Sequence, residues 1–85
     1  MRQPPEFFDD KDISLVHVAR TLRGALKVER LLTDLGIDYA VETDKYVSGF
    51  LFATEKTGAF FYVLAEDAGL TRKLLESKRI KIVRD

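Results

Sequence analysis

The 85-residue chain has no cysteine and no tryptophan, and it carries only one histidine, one methionine and two prolines. Without cysteine there is no disulfide scaffold, no thiol nucleophile and no thiolate metal site. A lone His17 cannot assemble an ordinary zinc ligand set either. No apolar run approaches the roughly 18 residues a membrane helix needs. The start, Met1 to Asp10, has no apolar stretch long enough for a signal peptide, so a cytoplasmic chain with no membrane partner is expected. Net charge is missing too: 14 Lys+Arg offset 14 Asp+Glu. That balance argues against a strongly basic nucleic-acid binder and leaves local patches open.

What is present supports a packed domain. At 46% hydrophobic and 33% charged, the composition is that of a globular chain, and its length fits one domain. Residues 1–12 read as an extended N-terminal lead, since Pro4-Pro5 opposes a helix and Glu6, Asp9, Asp10 and Asp12 outnumber Arg2 and Lys11. Phe7 and Phe8 are out of place in a solvated lead and are candidates to fold back on the body. Residues 13–85 read as the single domain.

Ile13 to Ala19 is β-branched and apolar, as in a central strand. Thr21 can cap a helix running from Leu22 to Leu35, with Leu22, Ala25, Val28, Leu32 and Leu35 at helical spacing and Gly36 at its end. Ile37 to Glu42 alternates as a strand, and Ser48-Gly49 marks a bend. Phe50 to Ala53 and Ala59 to Leu64 read as two further strands around a hairpin loop, Thr54 to Gly58. Glu66 and Asp67 open a second helix that faces Leu70, Leu74 and Leu75 inward, and Ile80 to Val83 closes as a strand. The order is β-α-β-β-β-α-β, or β-α-β-β-α-β if Tyr39 to Ala53 is one long strand. The expected fold is α+β: a ferredoxin-like sandwich with an antiparallel-dominated sheet and both helices on one face.

Two helices on one face leave the other face open, and such a face should alternate with polar residues. The strands instead set Phe60, Tyr62 and Leu64 against Phe61 and Val63, Phe50 and Phe52 against Leu51, and Val16 and Val18 against Ile13 and Leu15. A few hundred Å² of apolar surface would remain, worth several kcal/mol at ~25 cal/mol per Å². A second copy of the chain is the expected cover, in a homodimer whose interface includes Val16, Val18, Leu51, Phe61 and Val63. The alternative cover is Phe7, Phe8 and the hairpin arm.

Candidate sites are few. His17 lacks partners for catalysis or metal binding and reads as structural. Asp9, Asp10 and Asp12 lack the central glycine and distal glutamate of a calcium loop. Arg20, Thr21, Arg23, Gly24 and Lys27 lie where the first strand enters the first helix, a plausible anion site, although neither a phosphate loop nor a dinucleotide fingerprint is present. Basic residues also gather near the end: Arg72, Lys73, Lys78, Arg79, Lys81 and Arg84 stand against Glu76. No aromatic RNA-binding signature accompanies them, so nucleic acid is not an expected partner.

The stretch Leu26-Lys27-Val28-Glu29-Arg30-Leu31-Leu32, followed by Leu35-Gly36-Ile37-Asp38-Tyr39, and the stretch Phe61 to Ala68 with Leu74-Leu75 resemble a family of short bacterial signal-transducing proteins. That resemblance spans residues 13–77 and implies a ferredoxin-like fold akin to the nitrogen-regulatory proteins. The chain is also similar to a short sulfur/selenium-carrier-like group, whose Ser-Cys-Gly segment would fall near Val47-Ser48-Gly49; with no cysteine here, that activity is not carried over. The sequence thus leads to a non-enzymatic regulatory or interaction module with no cofactor, self-associating through its sheet. The alternative is a sensor of a small anionic metabolite at Arg20, Arg23 and Lys27.

Overall fold

The computed structural model describes residues 1–49 and 54–84. The chain runs through strand β1 (Ile13–Ala19), helix α1 (Leu22–Asp34), strands β2 (Tyr39–Ser48) and β3 (Thr54–Leu64), and helix α2 (Ala65–Ser77). The three strands form an antiparallel sheet in the order β1-β3-β2. Ala25, Val28 and Leu32 of α1, Ala68 and Leu75 of α2, and Val16, Phe61 and Val63 of the sheet make one buried cluster, so both helices pack on the same face.

Helix α1 forms as its sequence dictates. The Thr21 hydroxyl accepts the Gly24 amide at 3.0 Å, satisfying one of the unpaired donors of the first turn. At the other end the Ile37 amide donates to the Leu32 carbonyl and the Gly36 amide to Thr33, with Gly36 at φ 70°. This is a Schellman closure, which needs a left-handed residue and finds it in glycine. Leu22, Leu26 and Leu35, which share the apolar periodicity, are exposed.

Helix α2 closes the same way: Ile80 donates to Leu75 and Arg79 to Glu76. Here the left-handed residue is Arg79, at φ 60°. The phase of α2 departs from the expected one. Ala68, Thr71 and Leu75 are buried and Leu70 is exposed. Small Ala68 and Thr71 let the helix approach the sheet closely, and the Thr71 hydroxyl, donating to the Asp67 carbonyl at 2.8 Å, carries no polar cost inside.

Several strand boundaries differ from the sequence reading. Thr54 to Gly58 is not a loop but the first half of β3, paired with Asp44 to Ser48 of β2. It extends past the end of β1, which pairs only with Ala59 to Leu64. Among the described residues no third strand lies along this two-stranded ribbon, and Thr43, Asp44, Lys45, Glu55, Lys56 and Thr57 are all exposed, where polar residues suit it. The segment Phe50 to Ala53, expected as a strand, lies outside the described residues. The closing strand expected at Ile80 to Val83 is absent as a ladder: this segment reaches β1 through one backbone hydrogen bond, Val83 N–H to the Val16 carbonyl at 2.9 Å. Side chains complete the attachment. Arg72 donates from Nε to the Val83 carbonyl at 2.9 Å and from Nη2 to the Leu15 carbonyl at 3.0 Å.

The N-terminal lead is not simply extended. Pro5 to Phe8 form a 3-10 turn with proline at its start, where its missing N–H costs nothing. Met1 to Gln3 pair in parallel with the outer edge of β2, the Tyr39 amide donating to Met1 and the Gln3 amide to Tyr39. The lead thus starts beside β2 and runs to β1, spanning the width of the sheet at the end where β3 passes into α2. Phe8 and Ala40 are buried but stand apart from the main cluster, which fits that crossing.

A non-glycine residue held in the left-handed region costs about 1–2 kcal/mol. Replacing Arg79 with glycine is therefore expected to stabilise the protein by about 0.5–1 kcal/mol after glycine's greater unfolded-state entropy is subtracted. Urea denaturation of Arg79→Gly checks this, and a loss of stability would show that the Arg79 side chain carries packing outweighing its backbone strain.

Candidate functional site

Strand β1 carries a bulge. Leu15 pairs with Tyr62 and His17 with Phe61, so Val16 is an extra residue. Val16 and His17 are consequently both buried, and alternation resumes with inverted parity: Val18 pairs with Phe60 on the open face and Ala19 with Ala59 on the helix face. Val16 and Val18 thus do not share a face.

The interface expected from the sequence is redistributed by this geometry. Phe61, Val63 and Val16 are fully buried under the helices and cannot form an outer contact. Leu51 lies outside the described residues. Val18 alone is on the open face, half-buried. That face is also less apolar than expected, because β2 places exposed Glu42 and Asp44 on it, opposite Phe60 and Gly58. Burial, with Glu42 and Asp44 nearby, holds the Tyr62 hydroxyl above its ordinary pKa of 10.0.

The principal concavity is a cleft of about 520 Å³ at the C-terminal end of β1. Its floor is His17, Val18 and Ala19 of β1 with Phe60 of β3. One wall is Gly24, Lys27 and Val28 of α1; another is the C-terminal segment, Ile80 to Val83; Tyr46 and Arg20 close the rim. Tyr46 comes this far because residue 58 is glycine: a Cβ there would lie 2.9 Å from both the Tyr46 ring and Val18. The Arg20 guanidinium stands 5.8 Å from the centre of the Tyr46 ring. The volume falls inside the ~300–1,000 Å³ range of small-molecule sites.

Of the residues expected to hold an anion, Arg20, Gly24 and Lys27 meet at this cleft. Thr21 and Arg23 do not line it; Thr21 is engaged as the helix cap. Of the remaining lining residues, the sequence singles out His17, Val18 and Lys81 for other roles and does not group them with this site. Lys81 and its neighbours come from the far end of the chain, and Val18 and Tyr46 depend on the bulge and on Gly58. Arg20, Lys27 and Lys81 make no ion pair among the described residues, and no carboxylate lines the cleft.

His17 is a structural residue at the cleft floor. Its Nδ1 meets the Lys81 carbonyl, which can only accept, so Nδ1 carries the proton and donates. Burial pushes its pKa below the ordinary 6.5, with the Lys81 hydrogen bond opposing that shift. A second polar cluster lies far from the cleft, where the Tyr39 hydroxyl donates to Glu29 Oε1 at 3.0 Å and Arg2 pairs with Glu29 at 3.6 Å. Burial holds Tyr39 above its ordinary pKa. It fastens the lead, α1 and β2 together. No three His, Asp or Glu side chains gather to hold a metal among the described residues, and no helix there is long and apolar enough to cross a membrane.

No protein-family model, curated protein or solved structure matches the chain. The functional reading therefore rests on the cleft itself.

Because the neutral imidazole is favoured in the folded state, the unfolded chain takes up the proton first as pH falls. The stability tied to His17 is complete above about pH 6.5 and declines as pH drops from there toward the lower folded-state pKa. An NMR titration of the imidazole is expected to give a midpoint below 6.5, and a His17→Leu variant a flatter stability profile between pH 6.5 and 5. A midpoint at or above 6.5 would contradict the buried neutral ring.

Proposed function

We propose that the protein is a non-enzymatic regulatory module that binds a small anionic molecule in the cleft at the first strand–helix junction. The observation that carries this reading is the pairing of an apolar floor with three basic residues, Arg20, Lys27 and Lys81, that no carboxylate neutralises. All three cations are exposed, so they attract an anion at the mouth of the cleft, and the low-dielectric apolar wall beside them strengthens that field above its value in open water. The His17 Nδ1 is committed to the Lys81 carbonyl, and no carboxylate, serine or threonine lines the cleft to serve as its catalytic partner, which favours binding over catalysis.

The ferredoxin-like arrangement belongs to the same proposal. The strand order β1-β3-β2, with the last segment against the free edge of β1, is what a fourth strand in that fold would extend. Self-association now has a narrower basis than the sequence offered. The lead spans one end of the sheet, Glu42 and Asp44 make the open face acidic on its β2 side, and the apolar remainder around Val18 and Phe60 is the cleft.

A thermal-shift panel of carboxylates, phosphates, nucleotides and amino acids tests the reading. A ligand at about a hundred times its Kd adds about 2.7 kcal/mol, a rise of about 10–20 °C for a domain of this size. We expect at least one anion to do this, and Arg20→Gln with Lys27→Gln to abolish the rise without lowering the ligand-free melting point. If no anion stabilises the protein and its melting point instead climbs with protein concentration, the sheet-mediated dimer is the better account.

A further inference from the structure

We propose, resting on the anion-site reading above, that the ligand class is an amphipathic carboxylate: a single anionic head on an extended apolar body. The division of labour inside the cleft leads there. Val18, Phe60, Tyr46, Ile80 and Ile82 supply apolar or aromatic surface, Lys27 and Lys81 stand on α1 and the C-terminal segment, and Arg20 stands at the rim with its guanidinium 5.8 Å from the centre of the Tyr46 ring. Glu42 and Asp44 lie on the neighbouring part of β2, outside the cleft lining. An anionic head is held by the cations and repelled by those carboxylates, which leaves the body against Val18, Phe60 and the two isoleucines.

A phosphate head is disfavoured by the backbone. Phosphate sites at strand–helix junctions use a fan of free amides in the first helical turn. Here Gly24 is the one first-turn residue that lines the cleft, and its amide is given to the Thr21 hydroxyl. Arginine and lysine side chains remain, which suit a carboxylate well. A small hydrophilic anion such as acetate would leave the apolar floor uncovered and forgo about 0.8 kcal/mol for each methylene that could have been buried there.

The C-terminal segment gives the selectivity a mechanism. Ile80 and Ile82 are half-buried, and their segment is held to β1 by one backbone hydrogen bond, the two from Arg72 and the one from His17. An acyl or aryl body in the cleft covers the remaining exposed surface of Ile80 and Ile82, which a small hydrophilic anion leaves in water.

Titrations of the intact protein with octanoate, octanamide, acetate and inorganic phosphate, followed by amide NMR shifts, test the proposal. Octanoate is expected to saturate with shifts at Val18, Phe60 and Ile82, at least tenfold more tightly than neutral octanamide, while acetate and phosphate stay unsaturated at the same concentrations. Ile82→Ser should weaken octanoate about tenfold, and Arg20→Gln with Lys27→Gln should remove the preference over octanamide. Phosphate or a nucleotide saturating the cleft without octanoate would overturn the ligand class and leave the anion site standing. Octanamide binding as tightly as octanoate would overturn the role of the cations, and no anion binding at all would overturn both readings.

Discussion

One extra residue in β1 organises the rest of the molecule. The bulge at Val16 lets two consecutive side chains enter the core, and everything after it changes face. His17 turns inward and meets the Lys81 carbonyl, fixing the last segment of the chain against β1. Val18 turns outward beside Phe60 and beneath Tyr46, giving the cleft its floor. In a regular strand of strict alternation, Val16 and Val18 would share a face and His17 would oppose both. The same seven residues would then give a flat apolar sheet surface, with no imidazole to hold the C-terminal segment.

This is why the fold was more legible in the sequence than the site. Local chemistry announces itself: the Thr21 cap and the Gly36 terminus are single-residue signals whose physics is complete within five or six positions. The antiparallel pairing around Phe61 and the presence of two helices follow from apolar periodicity. What failed depends on contacts between distant segments. The ribbon at Thr43 to Ser48 and Thr54 to Gly58 has no run of alternating apolar residues, since Thr43, Asp44, Lys45, Glu55, Lys56 and Thr57 are exposed, so periodicity has little to register. The phase of α2 is decided by how closely Ala68 and Thr71 approach the sheet, which outweighs the larger apolar area of Leu70. Of the cleft, the Arg20, Gly24 and Lys27 side was visible because those residues are neighbours in sequence. Tyr46 and Ile80 to Val83 were not, since the topology alone brings them there.

Charge shows the same contrast between sum and arrangement. A neutral total conceals a lead tied down through Arg2, Glu29 and Tyr39, an acidic border on β2, and cations at both sides of the cleft. Where acids and bases meet on the surface they form pairs such as Lys45–Glu55 at 3.1 Å and Arg84–Glu76 at 3.1 Å, each worth about 0–1 kcal/mol. Such pairs contribute little to stability, yet they decide which cations remain unneutralised. Arg20, Lys27 and Lys81 are left without a carboxylate among the described residues, beside an apolar cleft surface.

The C-terminal segment shows why a cleft survives where a sheet edge would ordinarily be sealed. A strand added to β1 along its whole length would pair its backbone groups and fill the space beside Val18, with a net gain of about 1 kcal/mol per hydrogen bond. Instead Arg72 takes the Val83 and Leu15 carbonyls, and His17 takes that of Lys81. Charge-assisted hydrogen bonds of the arginine type are worth about 1.5–3 kcal/mol each, so a few side-chain contacts hold the segment about as firmly as a short ladder would. The two backbones meet where the Val83 amide donates to the Val16 carbonyl at 2.9 Å, and these side chains carry the rest of the attachment. Beside Val18 no backbone pairing joins them among the described residues, and there Ile80 and Ile82 line the cleft.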